Sequence, residues 1–390
     1  MRISLREHCS RRITSLLLAA AGLLSGCDSE GVSPFCRPGV PAGAGFPSNL
    51  TLLVSSEATP LTLAVLSLDQ VDGRLGVVGG PLDVNASISD AETLAADEAN
   101  RRIYLGSDLS GTVAVVTMDG TGKLTPVSGS PFSLEAPQPT VVRLNTASNV
   151  AYVGYRDQSF LSRYPIDPAT GALGSALPKV PINGTFIETM QRLGDLLYVI
   201  CNTTSNILAF RIEADGTLTD LGVNVPLDPR PDYIDFVTDS LAGTNRLYVS
   251  LTAGSIDAFD VNTATGALAR LPGAPYPFPG LTTFELLRAS PDGQFIAVGS
   301  ERPPAAGLLR VESDGSLTPV HSQVMSEGTG GPEGMVWTPN GRFLLVANHL
   351  LGGIHVYERV GELLRTGPVP CYTLPGRPID LVMTSMAVNP

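Results

Sequence analysis

The sequence predicts an all-β protein, a seven-bladed β-propeller of four-stranded antiparallel blades that is closed by its C-terminal strand. Three observations support this fold class. A Gly-x-Leu turn recurs seven times, an apolar strand precedes every turn, and the first and last repeats are both incomplete. Because a four-stranded blade cannot bury both of its faces alone, repeated blades must cover one another.

The turns recur at spacings of 45 to 50 residues, and they begin at Gly73, Gly122, Gly171, Gly216, Gly266, Gly315 and Gly361. An apolar strand such as "IYLGS", "LYVIC" or "LYVSL" lies upstream of each turn. The Gly-x-Leu turn and the apolar strand recur with the same period, which indicates one repeated unit. Asp-Gly and Asn-Gly pairs supply the positive φ angles that the hairpins within a unit need.

The two ends of the repeat region complement each other. The first repeat begins at "NLTLLVSS" without a lead-in strand, and the chain ends with the unpaired strand "GRPIDLVMTSM". We expect this last strand to complete the first blade, because such a closure removes open sheet edges. The predicted organisation is a signal peptide at 1–26, a flexible tether rich in Gly, Pro and Ser at 27–48, and the propeller at 49–390.

The first 26 residues indicate export. Four arginines precede an apolar run of about a dozen residues, which is too short to remain as a membrane span. The run ends in Leu24-Ser25-Gly26-Cys27, which resembles the bacterial lipobox. That resemblance implies lipidation of Cys27 and a protein anchored in the bacterial cell envelope, facing the periplasm or the exterior. The export route, general or twin-arginine, and the choice of inner or outer membrane stay open.

The net charge limits the classes of binding partner, and the cysteines predict one disulfide. Without residues 1–26 the net charge is −15, which excludes nucleic acid as a partner. We predict a disulfide between Cys36 and Cys371, because the tether must enter the first blade near the segment that leads into the closing strand. Cys201 lies within an apolar strand and is expected to be a buried thiol.

Several motifs resemble those of the lactonase-type seven-bladed propellers, the family of 6-phosphogluconolactonase and the fungal muconate-lactonizing enzymes. They are "TGAL", "GSPF" at 129, "GAPYPF" at 273 and "ASPDGQFIAVGS", and the resemblance covers roughly residues 49–390. It implies the propeller fold and lactone hydrolysis. It also implies catalytic and anion-binding residues at the starts of the lead-in strands: a His, a Pro-Arg-His, a Glu and a Pro-Arg.

These family residues are replaced in this chain. The first position falls in "GTFIETM", which has no His, and Asp232 and Tyr233 stand where Arg and His would. Leu251 lies near the expected Glu, and Glu333 replaces the last arginine. Arg230 and Arg288 are the arginines close enough to substitute, with Arg288 farther along its strand. No nucleophile elbow, phosphate loop or paired-cysteine metal motif is present in the sequence.

Acidic residues occupy most of the lead-in strand starts, where the resemblance implies catalytic and anion-binding residues. At a matching distance upstream of the apolar strands, with Asp380 one residue out of step, lie Glu92, Thr140, Glu188, Asp232, Glu285, Glu333 and Asp380. If these strand starts face a central funnel, six carboxylates ring its mouth. Such a ring attracts cations, so Ca²⁺, a polyamine or a basic peptide would suit it. The alternative is that they are solvated acids at strand ends.

The sequence therefore favours a lipid-anchored, monomeric binding or scaffolding module with a cation, peptide or protein ligand. The alternative is an extracytoplasmic lactone hydrolase with rearranged catalytic residues, and a structural role in a surface layer is third. His349 and His355 flank "LLGGI" and could meet across a hairpin as metal ligands. We favour exposed turn residues, because no third ligand is apparent.

Overall fold

The computed structural model describes residues 40–41, 43–57, 62–78, 82–83, 91–108, 110–228, 231–239, 244–325, 331–349, 352–374 and 377–390. These residues all belong to one compact unit, Pro34–Pro390. Within these ranges no helix is both long and apolar enough to cross a membrane. The signal peptide and the lipidation site predicted at Cys27 lie outside the described residues.

The described chain is built of short strands. The first half contains β1 (Val40–Pro41), β2 (Gly43–Ala44), β3 (Thr51–Glu57), β4 (Thr62–Leu68), β5 (Leu75–Val77), β6 (Leu82–Asp83), β7 (Ala91–Asp97), β8 (Arg102–Ser107), β9 (Thr112–Met118), β10 (Leu124–Pro126), β11 (Phe132–Ser133), β12 (Pro139–Asn145), β13 (Val150–Tyr155), β14 (Phe160–Pro165), β15 (Val180–Pro181), β16 (Ile187–Leu193), β17 (Leu196–Cys201), β18 (Asn206–Ile212) and β19 (Leu218–Pro226). The second half contains β20 (Pro231–Asp239), β21 (Thr244–Leu251), β22 (Ser255–Val261), β23 (Leu268–Arg270), β24 (Tyr276–Pro277), β25 (Thr282–Ala289), β26 (Phe295–Arg302), β27 (Pro304–Val311), β28 (Leu317–Val324), β29 (Pro332–Trp337), β30 (Phe343–Asn348), β31 (Gly353–Val360), β32 (Leu363–Thr373) and β33 (Arg377–Thr384).

These strands form seven antiparallel blades, which confirms the predicted fold class. Blades two to seven follow the chain, as β7–β10, β12–β15, β16–β19, β20–β23, β25–β28 and β29–β32. The first blade has the order β33-β3-β4-β5, so the last strand of the chain is its innermost strand. The pairing of Leu53 with Val382 fixes the register of this closure. The expected three-plus-one closure is therefore confirmed.

The hydrophobic core lies between the blades. Buried side chains of the described residues form seven clusters, and each cluster joins two neighbouring blades. The cluster between the first and last blades, for example, combines Leu52 and Leu66 with Phe343 and Ile354. Since each sheet is covered on both faces by its neighbours, no blade is expected to be stable without the ring.

Buried tyrosines explain why the apolar strands and the Gly-x-Leu turns recur with the same period. Their hydroxyls donate hydrogen bonds of 2.9 to 3.0 Å to turn carbonyls of the following blade, in the pairs Tyr104–Gly171, Tyr152–Gly216, Tyr198–Gly266 and Tyr248–Gly315. All seven Gly-x-Leu glycines have positive φ, between 62° and 88°. Glycine adopts this conformation at little cost, and the turn then presents its carbonyl to the neighbouring blade.

The predicted tether is described from residue 40 onward, and there it lies on the propeller. β1 pairs in parallel with β32 of the last blade, and β2 pairs in parallel with β5 of the first. The Phe46 amide donates to Ser67 Oγ at 3.2 Å, and the Arg74 guanidinium lies 4.9 Å from the centre of the Phe46 ring. This segment thus joins the outer strands of the two blades at which the ring closes.

Candidate functional site

The innermost strands of the blades surround the axis of the ring. They are β33, β7, β12, β16, β20, β25 and β29, and each one contacts the innermost strands of both neighbouring blades. Their first residues lie together at one end of the ring because all seven run in the same direction. We call the space that these seven strands enclose the channel.

Every innermost strand contains a β-bulge close to its start. In β25, Phe284 pairs with Ser300 and Leu286 pairs with Gly299, so Glu285 is the extra residue of the bulge. The other innermost strands shift register at the equivalent place, and the residues in the shifts are Glu92, Thr140, Glu188, Asp232 with Tyr233, Glu333, and Ile379 with Asp380. Bulges re-aim side chains and are common beside functional sites. The structure therefore places all seven sequence-predicted site residues at one structural position or next to it.

The bulge residues form bonds between strands. The Thr140 hydroxyl donates a hydrogen bond to the Ile187 carbonyl of the next innermost strand. The Asn202 amide donates to Glu188 Oε2 at 3.0 Å and to the Pro231 carbonyl of the following blade at 3.3 Å. Hydrogen bonds at the bulges thus join neighbouring blades.

The acids differ in exposure. Asp232 is buried, whereas Glu188, Glu285 and Glu333 are half-buried, and the side chain of Glu92 lies outside the described residues. Within the described part of the chain, no group of three or more His, Cys, Asp or Glu side chains could hold a metal ion. The five bulge acids belong to five different blades, so their strands are distributed around the ring.

Asp380 lies one step beyond the bulge position of the other acids, as its sequence offset predicts. Its amide donates to Ser55 Oγ at 3.2 Å, and the Tyr233 amide donates in the same way to Ser250 Oγ at 2.9 Å. The structural equivalent of Asp380 is therefore Tyr233. Burial raises the pKa of the Asp380 carboxyl, and the positive charges of Arg288 and Arg143 oppose that rise.

Arg143 is a channel residue that the sequence analysis missed. It lies three residues after Thr140, and Arg288 lies three residues after Glu285, so the two arginines occupy equivalent positions. Each donates from Nη1 to the carbonyl of its preceding residue at 3.0 Å. The sequence carried the signal, because counting from the bulge position aligns "TVVR" with "ELLR".

Neighbouring strands hold both arginines in place. Arg143 Nε donates to the Met190 carbonyl at 2.8 Å. The Arg288 guanidinium stacks on Tyr233, 4.3 Å from the ring centre, and Trp337 Nε1 donates to the Arg288 carbonyl at 3.3 Å. The innermost strands therefore carry two arginines beside the acids, and both are held by contacts with a neighbouring blade. Arg230, the other arginine considered from the sequence, lies outside the described residues.

The structure does not place His355 in an exposed turn, as the sequence predicted. It lies within β31 and is only 2% exposed, and its ring stacks on Tyr357 with centroids 5.9 Å apart. The interpretation as an exposed turn residue is therefore wrong for His355, because β31 begins at Gly353 and places the histidine inside the sheet. Burial lowers the pKa of His355 to about 4. His349 is half-buried beyond the end of β30.

The two cysteines of the described chain differ in their covalent state. Cys201 is a free, buried thiol as expected, and burial raises its pKa to about 12. Cys371 is disulfide-bonded, and its expected partner Cys36 lies outside the described residues. Val40 pairs with Tyr372, which brings the chain just beyond Cys36 alongside the strand that holds Cys371. The Cys36–Cys371 pairing stays a prediction.

Comparison with known proteins confirms the resemblance inferred from the motifs. The family model "Lactonase, 7-bladed beta-propeller" matches residues 93–236. The 6-phosphogluconolactonase of Erwinia tasmaniensis is 25% identical over 168 residues, which are 43% of this chain and 48% of that relative. The matched part of the chain thus spans about half the length of this curated relative.

Two solved structures show the same fold. A proposed 6-phosphogluconolactonase from Bacteroides fragilis superposes with a TM-score of 0.74 at 18% identity, covering 86% of this chain and 97% of the other. The periplasmic gluconolactonase of Pseudomonas aeruginosa superposes with a TM-score of 0.70 at 21% identity, covering 86% of this chain and 99% of the other. At these identities the likeness concerns the fold alone.

Proposed function

Because the chain is a seven-bladed propeller that resembles the lactonase type, we propose that it is a binding module that uses the central channel for a cationic ligand. The ligand class is a polyamine or a basic peptide segment, including one carried by a partner protein, because no group of acids in the described part of the chain could hold a metal ion such as Ca²⁺. The module is anchored by lipid at Cys27 in the bacterial envelope and faces the periplasm or the exterior.

The equivalence of the bulge positions supports this proposal. Acids occupy the bulge in five of the seven blades, and Asp380 adds a sixth carboxylate one step along. In the resemblance described above, this end of the channel carries arginine and histidine for anionic substrates. Replacing them by acids reverses the sign of the field at the entrance, and a negative field attracts cations.

Replacing Glu285 and Glu333 together by Gln is expected to weaken spermidine binding about tenfold at low salt and less at high salt, because salt screens interactions between exposed charges. Calorimetry with spermidine and with Ca²⁺ at two salt concentrations measures the effect. The matched control is Asp72→Asn with Asp220→Asn, which changes net charge equally on exposed acids outside the innermost strands. Equal weakening by both pairs, or no cation binding at millimolar concentration, would contradict the proposal.

Lactone hydrolysis is the second candidate function, because the relatives that match this chain are lactonases by name. It would use the same channel, with Arg143 and Arg288 as the cations facing the substrate. Assaying a sugar lactone beside the calorimetry decides between the candidates. Turnover at an enzyme-like rate by a protein that binds no cation would support the hydrolase and overturn the binding module.

Anchoring has its own test. A Cys27→Ser variant is expected to lose incorporation of a fatty-acid probe and to leave the membrane fraction, because the lipid is attached to the cysteine thiol. Metabolic labelling followed by fractionation measures both. The control is Cys201→Ser, which alters a cysteine that is buried in the propeller. A Cys27→Ser protein that still labels and still sediments with membranes would exclude lipidation at this site.

A further inference from the structure

The chain contains two Asn-Gly pairs, Asn183-Gly184 and Asn340-Gly341, and both asparagines are exposed. In such a pair the backbone nitrogen of the second residue can attack the side-chain amide of the first. Glycine favours this attack because it has no side chain to hinder the approach and leaves the backbone free to rotate. The two pairs have different surroundings in this structure, and one protein therefore holds both a candidate site and its comparison.

The Asn340-Gly341 pair is fixed in the turn between β29 and β30. Asn340 Oδ1 accepts hydrogen bonds from Thr338 Oγ1 at 2.7 Å and from the Arg342 amide at 3.0 Å. The Gly341 amide donates to the Thr338 carbonyl at 2.8 Å. Both reacting groups, the side-chain amide and the glycine nitrogen, are therefore already bonded. These hydrogen bonds must break before the nitrogen can reach the side chain.

The Asn183-Gly184 pair lies in the connection between β15 of the third blade and β16 of the fourth. Its one hydrogen bond in the described part of the chain involves the Asn183 carbonyl, which accepts from Asn206 Nδ2 at 3.4 Å. Neither the Asn183 side chain nor the Gly184 N–H has a hydrogen-bond partner among the described residues. Both reacting groups of this pair are therefore available.

The packing of the fourth blade requires glycine beside Asn183. Gly184 has a φ of 148°, and a Cβ atom there would lie 2.5 Å from Thr204 Oγ1 and 2.8 Å from Cys201 Cβ. A side chain at this position would displace the end of β17. An experiment on this pair must therefore change the asparagine and keep the glycine.

We infer that Asn183 is a site of spontaneous covalent modification in the folded protein, where it is converted through a succinimide into aspartate and isoaspartate. The Gly184 nitrogen loses its proton and bonds to Asn183 Cγ, the Cγ–Nδ2 bond breaks, and ammonia leaves with that proton. Water then opens the ring. Opening at Cγ gives aspartate, and opening at the backbone carbonyl gives isoaspartate, whose main chain runs through Cβ. The inference does not depend on the proposed function.

Both products change the connection that enters β16. Each adds a negative charge five residues before Glu188, the bulge residue of that strand. Isoaspartate also lengthens the main chain by a methylene group, directly beside the glycine that packs against Cys201. The reaction therefore alters charge and backbone at the end of the ring where the innermost strands begin.

The test follows both pairs in the folded native protein by peptide mapping and mass spectrometry during incubation at mildly alkaline pH, which favours loss of the amide proton. Asn183 is expected to convert at least about tenfold faster than Asn340, because breaking the hydrogen bonds of the second pair raises its barrier. In urea, which removes those bonds, the two rates should become similar. Fragmentation by electron transfer distinguishes isoaspartate from aspartate.

Two matched variants assign the charge change to its site. An Asn183→Gln variant should lose most of the acidic shift that the native protein develops on isoelectric focusing, because the longer side chain closes its ring much more slowly. Asn340→Gln should keep that shift. Circular dichroism checks that both variants fold, and Asn183→Ser replaces the first if it does not.

Three results would overturn the inference. They are equal conversion of the two asparagines in the folded protein, conversion of Asn183 in urea alone, and a full acidic shift in the folded Asn183→Gln variant. All of these readouts are masses and charges of the protein itself. Failure of this inference is therefore distinct from failure of cation binding in the channel.

Discussion

A Gly334→Ala variant is expected to unfold with a free energy about 3 kcal/mol lower than that of the native protein. Gly334 lies in β29, where a Cβ atom would come within 2.8 Å of the Ile379 carbonyl oxygen and 3.0 Å of the Leu381 nitrogen. Both are backbone atoms of the closing strand β33. A methyl group there forces apart the first and last blades, and a close-packed interior absorbs such a shift poorly. Urea denaturation measures the change.

The control for this prediction is Gly120→Ala, because a Cβ at Gly120 meets no atom within 4 Å. That variant should differ from the native protein by less than about 0.5 kcal/mol, as is usual for surface substitutions. Equal stability of the two alanine variants would show that β29 and β33 can separate freely, and the ring closure would then contribute little to stability.

The second large effect concerns His355 and acid. Its pKa of about 4 in the folded protein lies below the ordinary value of 6.5. As the pH falls from 6.5 towards 4, the unfolded chain therefore binds a proton that the folded protein does not bind, and the folded state loses up to about 3 kcal/mol. A His355→Phe variant should lack this slope, because phenylalanine keeps the aromatic contact with Tyr357 and cannot be protonated.

Denaturation at pH values between 4 and 7 measures both slopes. Asp292 and Glu312, whose pKa values are lowered in the folded protein, destabilise it mainly at still lower pH. The difference between native and variant in the window from pH 6.5 to 4 therefore belongs to the histidine. Parallel curves for the two proteins would contradict the prediction, even if the variant is less stable at every pH.

Local chemistry explains how much of the fold was accessible from the sequence. Glycine alone accepts the positive φ of the Gly-x-Leu turns easily, so each turn leaves a mark that survives divergence between blades. The incomplete first repeat and the unpaired C-terminal strand predicted the closure through β33 by elimination. The acid positions followed from the same period, because equivalent strands place equivalent residues at equivalent sites.

The direction of individual side chains was less accessible. A shift of one residue in a strand turns a side chain to the opposite face, so "LLGGIHVYE" alone does not tell a turn histidine from a buried one. The start of β31 at Gly353 decides the matter by placing His355 in the sheet. Arg143 was missed for a related reason, since nothing local distinguishes a strand arginine that faces the channel from one that faces solvent.

The sequence by itself thus determined the number of blades, their strand order, the closing strand and the level of the acids, because local turn chemistry and a fixed period encode them. Only the tertiary structure decided that Arg143 bonds to the Met190 carbonyl and that Arg288 stacks on Tyr233, although these strands lie apart in the chain. It also decided that Gly334 must lack a side chain. Such features depend on how distant strands approach one another once the ring is closed, and no local pattern records that distance.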